Sequence, residues 1–119
     1  MKVAITSQGI DLDAPVDPRF GRADHILIVD PETLEFEALD NSENINAIKG
    51  AGINAAVMVS RKGADVLITG YCGPNAFKTL DAAKIKVSND ASGTVRETVS
   101  AYSAGKCQFV EGANVEGHW

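Results

Sequence analysis

Cysteine and histidine are scarce in this chain: Cys72 and Cys107 are far apart, His25 and His118 are the only histidines, and no CxxC pair occurs. A zinc site or a conventional iron–sulfur cluster draws on about four Cys or His ligands, so neither is expected. The two cysteines could form one disulfide, but none is expected in a reducing compartment. Long apolar runs are missing. Nothing approaches the roughly 18 residues of a membrane span. The apolar stretch in Met1-Lys2-Val3-Ala4-Ile5-Thr6 is too short for a signal peptide, so a cytoplasmic location with no membrane partner is expected. Basic charge is in deficit as well. Eleven Lys and Arg face sixteen Asp and Glu, for a net charge of -5. General nucleic-acid binding rests on basic surface and is therefore not expected.

What remains is a chain of 119 residues, 45% apolar and 23% charged, which is enough for one domain with its own core. The charge is uneven. Residues 1–43 hold ten acids against three bases, whereas residues 44–119 hold six acids against eight bases. An anionic ligand is expected on the second part.

Lys2 to Thr6 reads as a first strand, with Val3 and Ile5 on one face. Residues 7–24 have no periodicity and contain Gly9, Pro15, Pro18 and Gly21, and a loop this long is usually functional or mobile. His25 to Val29 is a second strand. The turn Asp30-Pro31-Glu32-Thr33 makes it a hairpin with a third strand, Leu34 to Leu39, whose Leu34, Phe36 and Ala38 share a face. A polar loop over 40–49 precedes a helix from about Gly50 to Lys62, with Ile53, Ala56, Val57 and Ser60 at helical spacing. Val66 to Thr69 is a fourth strand. Pro74 opens a second helix lined by Phe77, Leu80 and Ala83. Ile85 to Ser88 is a fifth strand. Thr94-Val95-Arg96-Glu97 is a capping box opening a third helix, which buries Val95, Thr98, Val99 and Tyr102. Residues 1–105 are thus expected to form a single domain. Residues 106–119 form a C-terminal tail with a short extended piece at Cys107 to Val110.

This order gives an α/β fold: a mixed five-stranded sheet in order 3-2-1-4-5, strand two antiparallel, with about three helices. Right-handed crossovers place strand four beside strand one and strand five beyond it. The topology is that of a ribonuclease-H-like core.

Such a sheet gathers chemistry at one edge. The 7–24 loop, the helix start at Lys49-Gly50-Ala51-Gly52, the Gly70–Pro74 turn and the start of the third helix meet at the carboxyl ends of the parallel strands. Three helix N-termini there make an anion site, and the order reversal between strands one and four adds a crevice. Gly50-Ala51-Gly52-Ile53-Asn54-Ala55 fits GxGxxA, yet no strand directly precedes it, as a dinucleotide fingerprint requires. Its glycines either ease helix packing or let backbone approach an anion. Gly70-Tyr71-Cys72-Gly73-Pro74-Asn75 lacks the GK[ST] of a P-loop. It is a plain strand-to-helix turn or a ligand-facing loop, with Cys72 as packing or as a ligand neighbour. Strands one and four carry no carboxylates, so a two-metal nuclease site is missing. Asp11, Asp13 and Asp17 are solvated loop charges or a metal site. Arg22 is solvated, pairs an anion, or locks the loop to an aspartate. His118-Trp119 is a frayed end or a flap. No catalytic residue is assigned, and no direct metal ligand is expected.

One pattern runs through the chain: Met1-Lys2-Val3-Ala4-Ile5, Phe20-Gly21-Arg22-Ala23, Ile28-Val29-Asp30, Gly50-Ala51-Gly52 with Ala55-Ala56, Gly70 with Gly73-Pro74-Asn75-Ala76, and Gly93-Thr94-Val95. In that order, over residues 1–105, it resembles the dinitrogenase iron–molybdenum cofactor biosynthesis family, the NifX, NafY and NifB C-terminal type. The resemblance implies a ribonuclease-H-like fold without nuclease activity, and binding or carriage of a metal–sulfide cluster. Family members often carry histidines in the loop before the first helix. This chain has Asn44-Ile45-Asn46-Ala47-Ile48-Lys49 there, which favours a cluster held without protein–metal bonds. Small stand-alone members hold an anionic molybdenum–copper sulfide cluster in that way. The alternative cofactor is the iron–molybdenum cofactor or a precursor. A soft polyanion needs positive potential and partly apolar walls. Helix N-termini, Lys49 and Arg22 supply the first, and Ile45, Ile48 and Trp119 the second. The site is thus expected at Arg22, Ile45, Ile48, Lys49, Gly50, Ala51, Gly52, Cys72, Gly73 and Asn75. The competing expectation is a cofactor-free regulatory module that docks on a partner protein such as an ATPase.

Overall fold

The computed structural model describes residues 1–45 and 50–110. Five strands, β1 (Val3–Ser7), β2 (His25–Val29), β3 (Phe36–Asp40), β4 (Val66–Ile68) and β5 (Lys86–Ser88), form one sheet in the order β3-β2-β1-β4-β5. β2 is antiparallel to both neighbours, while β1–β4 and β4–β5 are parallel. Three main helices, α2 (Ala51–Arg61), α3 (Pro74–Ala82) and α4 (Val95–Ser103), follow a single helical turn, α1 (Ser42–Ile45). This is the α/β fold and strand order expected from the sequence. The one turn of α1 lies inside what the sequence presents as a polar loop.

The central strands are apolar on both faces because both faces are covered. Ala4, Ile26, Ile28 and Leu67 pack with α2 and α3 through Ala55, Ala56, Val59, Ala76 and Leu80. Val3, Ile5, Leu27, Val29, Val66 and Ile68 pack on the other face with Val95 and Val99 of α4 and with Leu12 and Val16 of the long loop. Two helices therefore lie on one side of the sheet and α4 lies on the other.

Local faces depart from the periodic pattern in three places. β3 begins at Phe36, because Leu34 adopts a left-handed φ of 64° and donates its N–H to Asp30 O. The buried side chain of that strand is Leu39, while Phe36 and Ala38 face solvent on an uncovered edge. α2 buries Ala51, Ala55, Ala56 and Val59, and Ile53 is exposed. Its inner face is built from small residues because it lies close to α3. α3 buries Ala76 and Leu80, whereas Phe77 is half-buried and Ala83 is the exposed C-cap. α4 buries Val95, Thr98 and Val99 as the pattern predicts, but the expected Tyr102 is only half-buried, packed against the edge of that core. After α4 the chain returns to the sheet, where the Val110 N–H donates to Val87 O at 2.8 Å.

Candidate cofactor-binding site

The long loop after β1 is fastened at many points. Thr6 Oγ1 donates to Asp17 O at 2.6 Å, and the Asp17 N–H donates to Thr6 O. The Tyr71 N–H donates to Pro18 O and the Phe20 N–H to Tyr71 O, and Phe20 is buried in the core. A Cβ on Gly70 would lie 2.5 Å from Pro18 backbone, so the loop crosses directly over the start of the β4–α3 turn. The expected crevice between β1 and β4 is thus occupied by the chain itself. Asp17 is buried and pairs with Arg19, and the exposed Asp13 pairs with Arg96, whose hydrogen bond and charge hold the Asp13 carboxyl below its usual range. Among the described residues, no group of three His, Cys, Asp or Glu side chains is placed to hold a metal.

The helix N-termini differ sharply. At α4, the Val95 and Arg96 N–H groups donate to Ala14 O and Leu12 O, and the Glu97 N–H donates to Thr94 Oγ1. Glu97 Oε1 in turn accepts from the Thr94 N–H at 3.1 Å, which completes the capping box. All the first-turn donors are used, and a carboxylate sits on the positive end of the dipole. The expectation that three N-termini serve one anion site therefore needs correction, since α4 is already satisfied.

α2 and α3 are built the other way. Neither has a side-chain cap, and neither has an acid in its first turn. Gly50 caps α2 with a left-handed φ of 77°, and Gly73 caps α3 with extended backbone. No carbonyl among the described residues accepts from the N–H groups of Ala51, Gly52 and Ile53, or from those of Asn75 and Ala76. The two ends are neighbours. A Cβ on Gly52 would lie 3.0 Å from that of Ala76. Gly21 packs on the same spot: its φ is 94°, and a Cβ there would lie 2.8 Å from Gly52 Cα.

The structure thus brings together Gly50, Ala51, Gly52, Gly73 and Asn75, with the Gly21–Arg22 segment beside them. Arg22 is half-buried and donates its backbone N–H to Arg19 O. Ile45 is the last residue of α1, which packs on α2. Ile48, Lys49, His118 and Trp119 lie outside the described residues. Cys72 is fully buried in the core beneath α2 and α3, and burial pushes its thiol up to about 12.

Pattern reasoning missed Asn41. This residue is fully buried, and its Nδ2 donates to Ala23 O at 2.8 Å and more loosely to Gly21 O at 3.4 Å. Asn44 Nδ2 donates to Asn41 Oδ1 at 2.7 Å. Asn41 therefore pins the Gly21–Ala23 segment against the helix pair. The only signal in the sequence is an amide side chain directly after a strand.

A family model described as dinitrogenase iron-molybdenum cofactor matches residues 1–105. The chain is similar to the apo form of the orange protein from Desulfovibrio gigas, with 44% identity over 96% of each chain and a TM-score of 0.93. It is also similar to a Thermotoga protein of the DUF35 family described as a NifB protein, with 38% identity over 91% of each chain and a TM-score of 0.78. A dinitrogenase-type protein from Methanocaldococcus jannaschii shares the fold alone, with 17% identity over 94% of this chain and 96% of that one and a TM-score of 0.70. A comparison with curated proteins gives no match. No helix among the described residues is long and apolar enough to cross a membrane.

Proposed function

The chain belongs to the dinitrogenase iron-molybdenum cofactor family, and on that premise we propose that it carries an anionic molybdenum–copper sulfide cluster, held noncovalently at the N-termini of α2 and α3. The family and the orange-protein relative support a cofactor-binding or carrier role rather than an enzymatic one.

One observation supports this reading: among the described residues, nothing caps the first N–H groups of the two adjacent N-termini of α2 and α3 and neither has a first-turn acid, while the third is closed by Thr94 and Glu97. Free N–H groups and the positive dipole end attract an anion without binding its metals. Gly50 leaves open space for a cluster at the start of α2, Gly52 lets that helix end pack closely against Ala76 and Gly21, and Gly73 and Asn75 present the second N-terminus. Arg22 and Lys49 add positive charge. Ile45 and Ile48 offer apolar walls to a soft sulfide surface. Cys72 is protonated at neutral pH, because its thiol pKa is about 12, so it backs the site as an uncharged group.

The test is a titration of the metal-free protein with tetrathiomolybdate and copper, followed by desalting and metal analysis. Stoichiometric retention of both metals, with visible sulfur-to-metal charge-transfer bands, is the expected result. Loss of both metals on desalting would overturn the cluster assignment. It would turn attention to an iron–molybdenum cofactor precursor or to a cofactor-free module docking on a partner such as an ATPase.

A further inference from the structure

β3 is an outer strand of the sheet, and its free side carries a row of backbone groups. In the hairpin with β2, the Asp30 N–H donates to Glu35 O at 2.9 Å and the Asn41 N–H to Asp24 O at 3.1 Å. Antiparallel ladders alternate, so in the register from His25↔Asp40 to Val29↔Phe36 the backbone groups of Glu37 and Leu39 turn toward β2. Those of Phe36, Ala38 and Asp40 turn outward, where no other strand among the described residues pairs with them. The opposite edge differs, because there the Val110 N–H donates to Val87 O of β5. An exposed edge of this kind is a template for an added strand.

The side chains select the occupant. Phe36 and Ala38 share a face with Val29 and Leu27, their cross-strand partners in β2, and both are exposed, Phe36 to 42%. Glu37 lies on the opposite face, where it meets Lys62 Nζ at 2.7 Å in a solvent-exposed ion pair, a kind that contributes little. From Asp30 to Glu43 the chain holds six acids and no Lys or Arg. A second copy of this chain would set those acids against one another, and like charges across a strand pair are destabilising. Residues 111–119 hold two glutamates and no Lys or Arg, so their charge does not suit this edge either. We propose that β3 accepts, as an added edge strand, an extended segment of a partner protein in which Lys or Arg alternates with apolar residues. Its apolar side chains cover Phe36 and Ala38, and its basic ones meet Glu37 on the other face. The proposal is independent of cluster binding.

The experiment is an NMR and hydrogen-exchange titration of the full ¹⁵N-labelled, metal-free chain with a capped peptide of three Lys-Val repeats. The expected result is a saturable shift along Phe36–Asp40, with exchange slowed at the outward amides of Phe36, Ala38 and Asp40 and unchanged at Glu37 and Leu39. A peptide of three lysines followed by three valines has the same charge without the alternation, and it is expected to bind about tenfold more weakly or less. Ala38→Pro removes an outward N–H at a place where an edge strand tolerates proline, and it is expected to weaken the alternating peptide about tenfold. Glu37→Gln is expected to weaken it as well, by a smaller factor, and covers the case in which the proline variant does not fold. Four results would overturn the proposal: no saturable shift at millimolar peptide, equal binding of the block peptide, undiminished binding by either folded variant, or shifts at the same amides that follow protein concentration without peptide, which would make the occupant a second copy.

Discussion

The two faces of this sheet treat the same structural element in opposite ways. On the α4 face, a Thr and a Glu spaced for a capping box consume the helix end, and loop carbonyls from Leu12 and Ala14 take what remains. On the other face, α2 and α3 begin at Gly50 and Gly73, which have no side chain with which to cap. The first arrangement stabilises the fold. The second leaves the first N–H groups of both helices without an acceptor among the described residues, at a positive dipole end that carries no acid. Helix N-termini are equivalent as backbone, and the flanking residues decide which of them is capped from within the fold.

The comparison can be broken most severely at Gly21. A side chain there meets both a left-handed φ of 94° and the α2 backbone at 2.8 Å. Gly21→Ala is expected to cost about 3 kcal/mol in urea unfolding, from strain plus overpacking. Stability equal to that of the parent would mean that the loop does not press on α2. Lys49→Glu reverses a charge one residue before the α2 cap. It should weaken cluster retention about tenfold or more, or about 1.4 kcal/mol, with an unchanged melting temperature. Unchanged retention in the Lys49 variant would remove the site from this edge. Thr94→Ala sharpens the contrast from the other face. It should lower stability by about 1 kcal/mol and leave cluster retention alone, because that cap serves the fold only.

Cysteine gives the smallest expected effects. Cys72→Ser and Cys107→Ser should both retain the cluster, and loss of metal in either would indicate thiolate ligation. Burial does predict a pH effect at Cys72. The folded thiol holds its proton up to about pH 12, while the unfolded one releases it near 9.0. Between those values the unfolded state binds fewer protons, so stability falls as pH rises from 9 toward 12. Cys72→Ala should flatten that limb relative to the parent in pH-dependent denaturation, and identical curves would contradict the burial.

Much of the fold is legible in the sequence because its signals are local. Apolar runs bounded by turn residues locate the strands, and Pro74 and the Thr94–Glu97 box locate two helix starts. The inner face of α2 is not legible in this way. Ala51, Ala55 and Ala56 carry little hydrophobic signal, and the more conspicuous Ile53 points outward. Small residues win there because α3 lies so close at Ala76. For the site, glycines before two helices are visible in sequence. That α4 is closed by loop carbonyls is not, since Leu12 and Ala14 lie more than eighty residues from Arg96 and Val95. Asn41 is equally silent, because a buried amide is distinguished only by what surrounds it.

The most direct test of the central claim is an amide chemical-shift map of the ¹⁵N-labelled protein before and after loading with tetrathiomolybdate and copper. The account predicts that the largest changes fall at Ala51–Ile53 and Asn75–Ala76, while Val95–Glu97 stay in place. Changes centred on Val95–Glu97, or retained metal with both α2 and α3 N-termini unmoved, would contradict it.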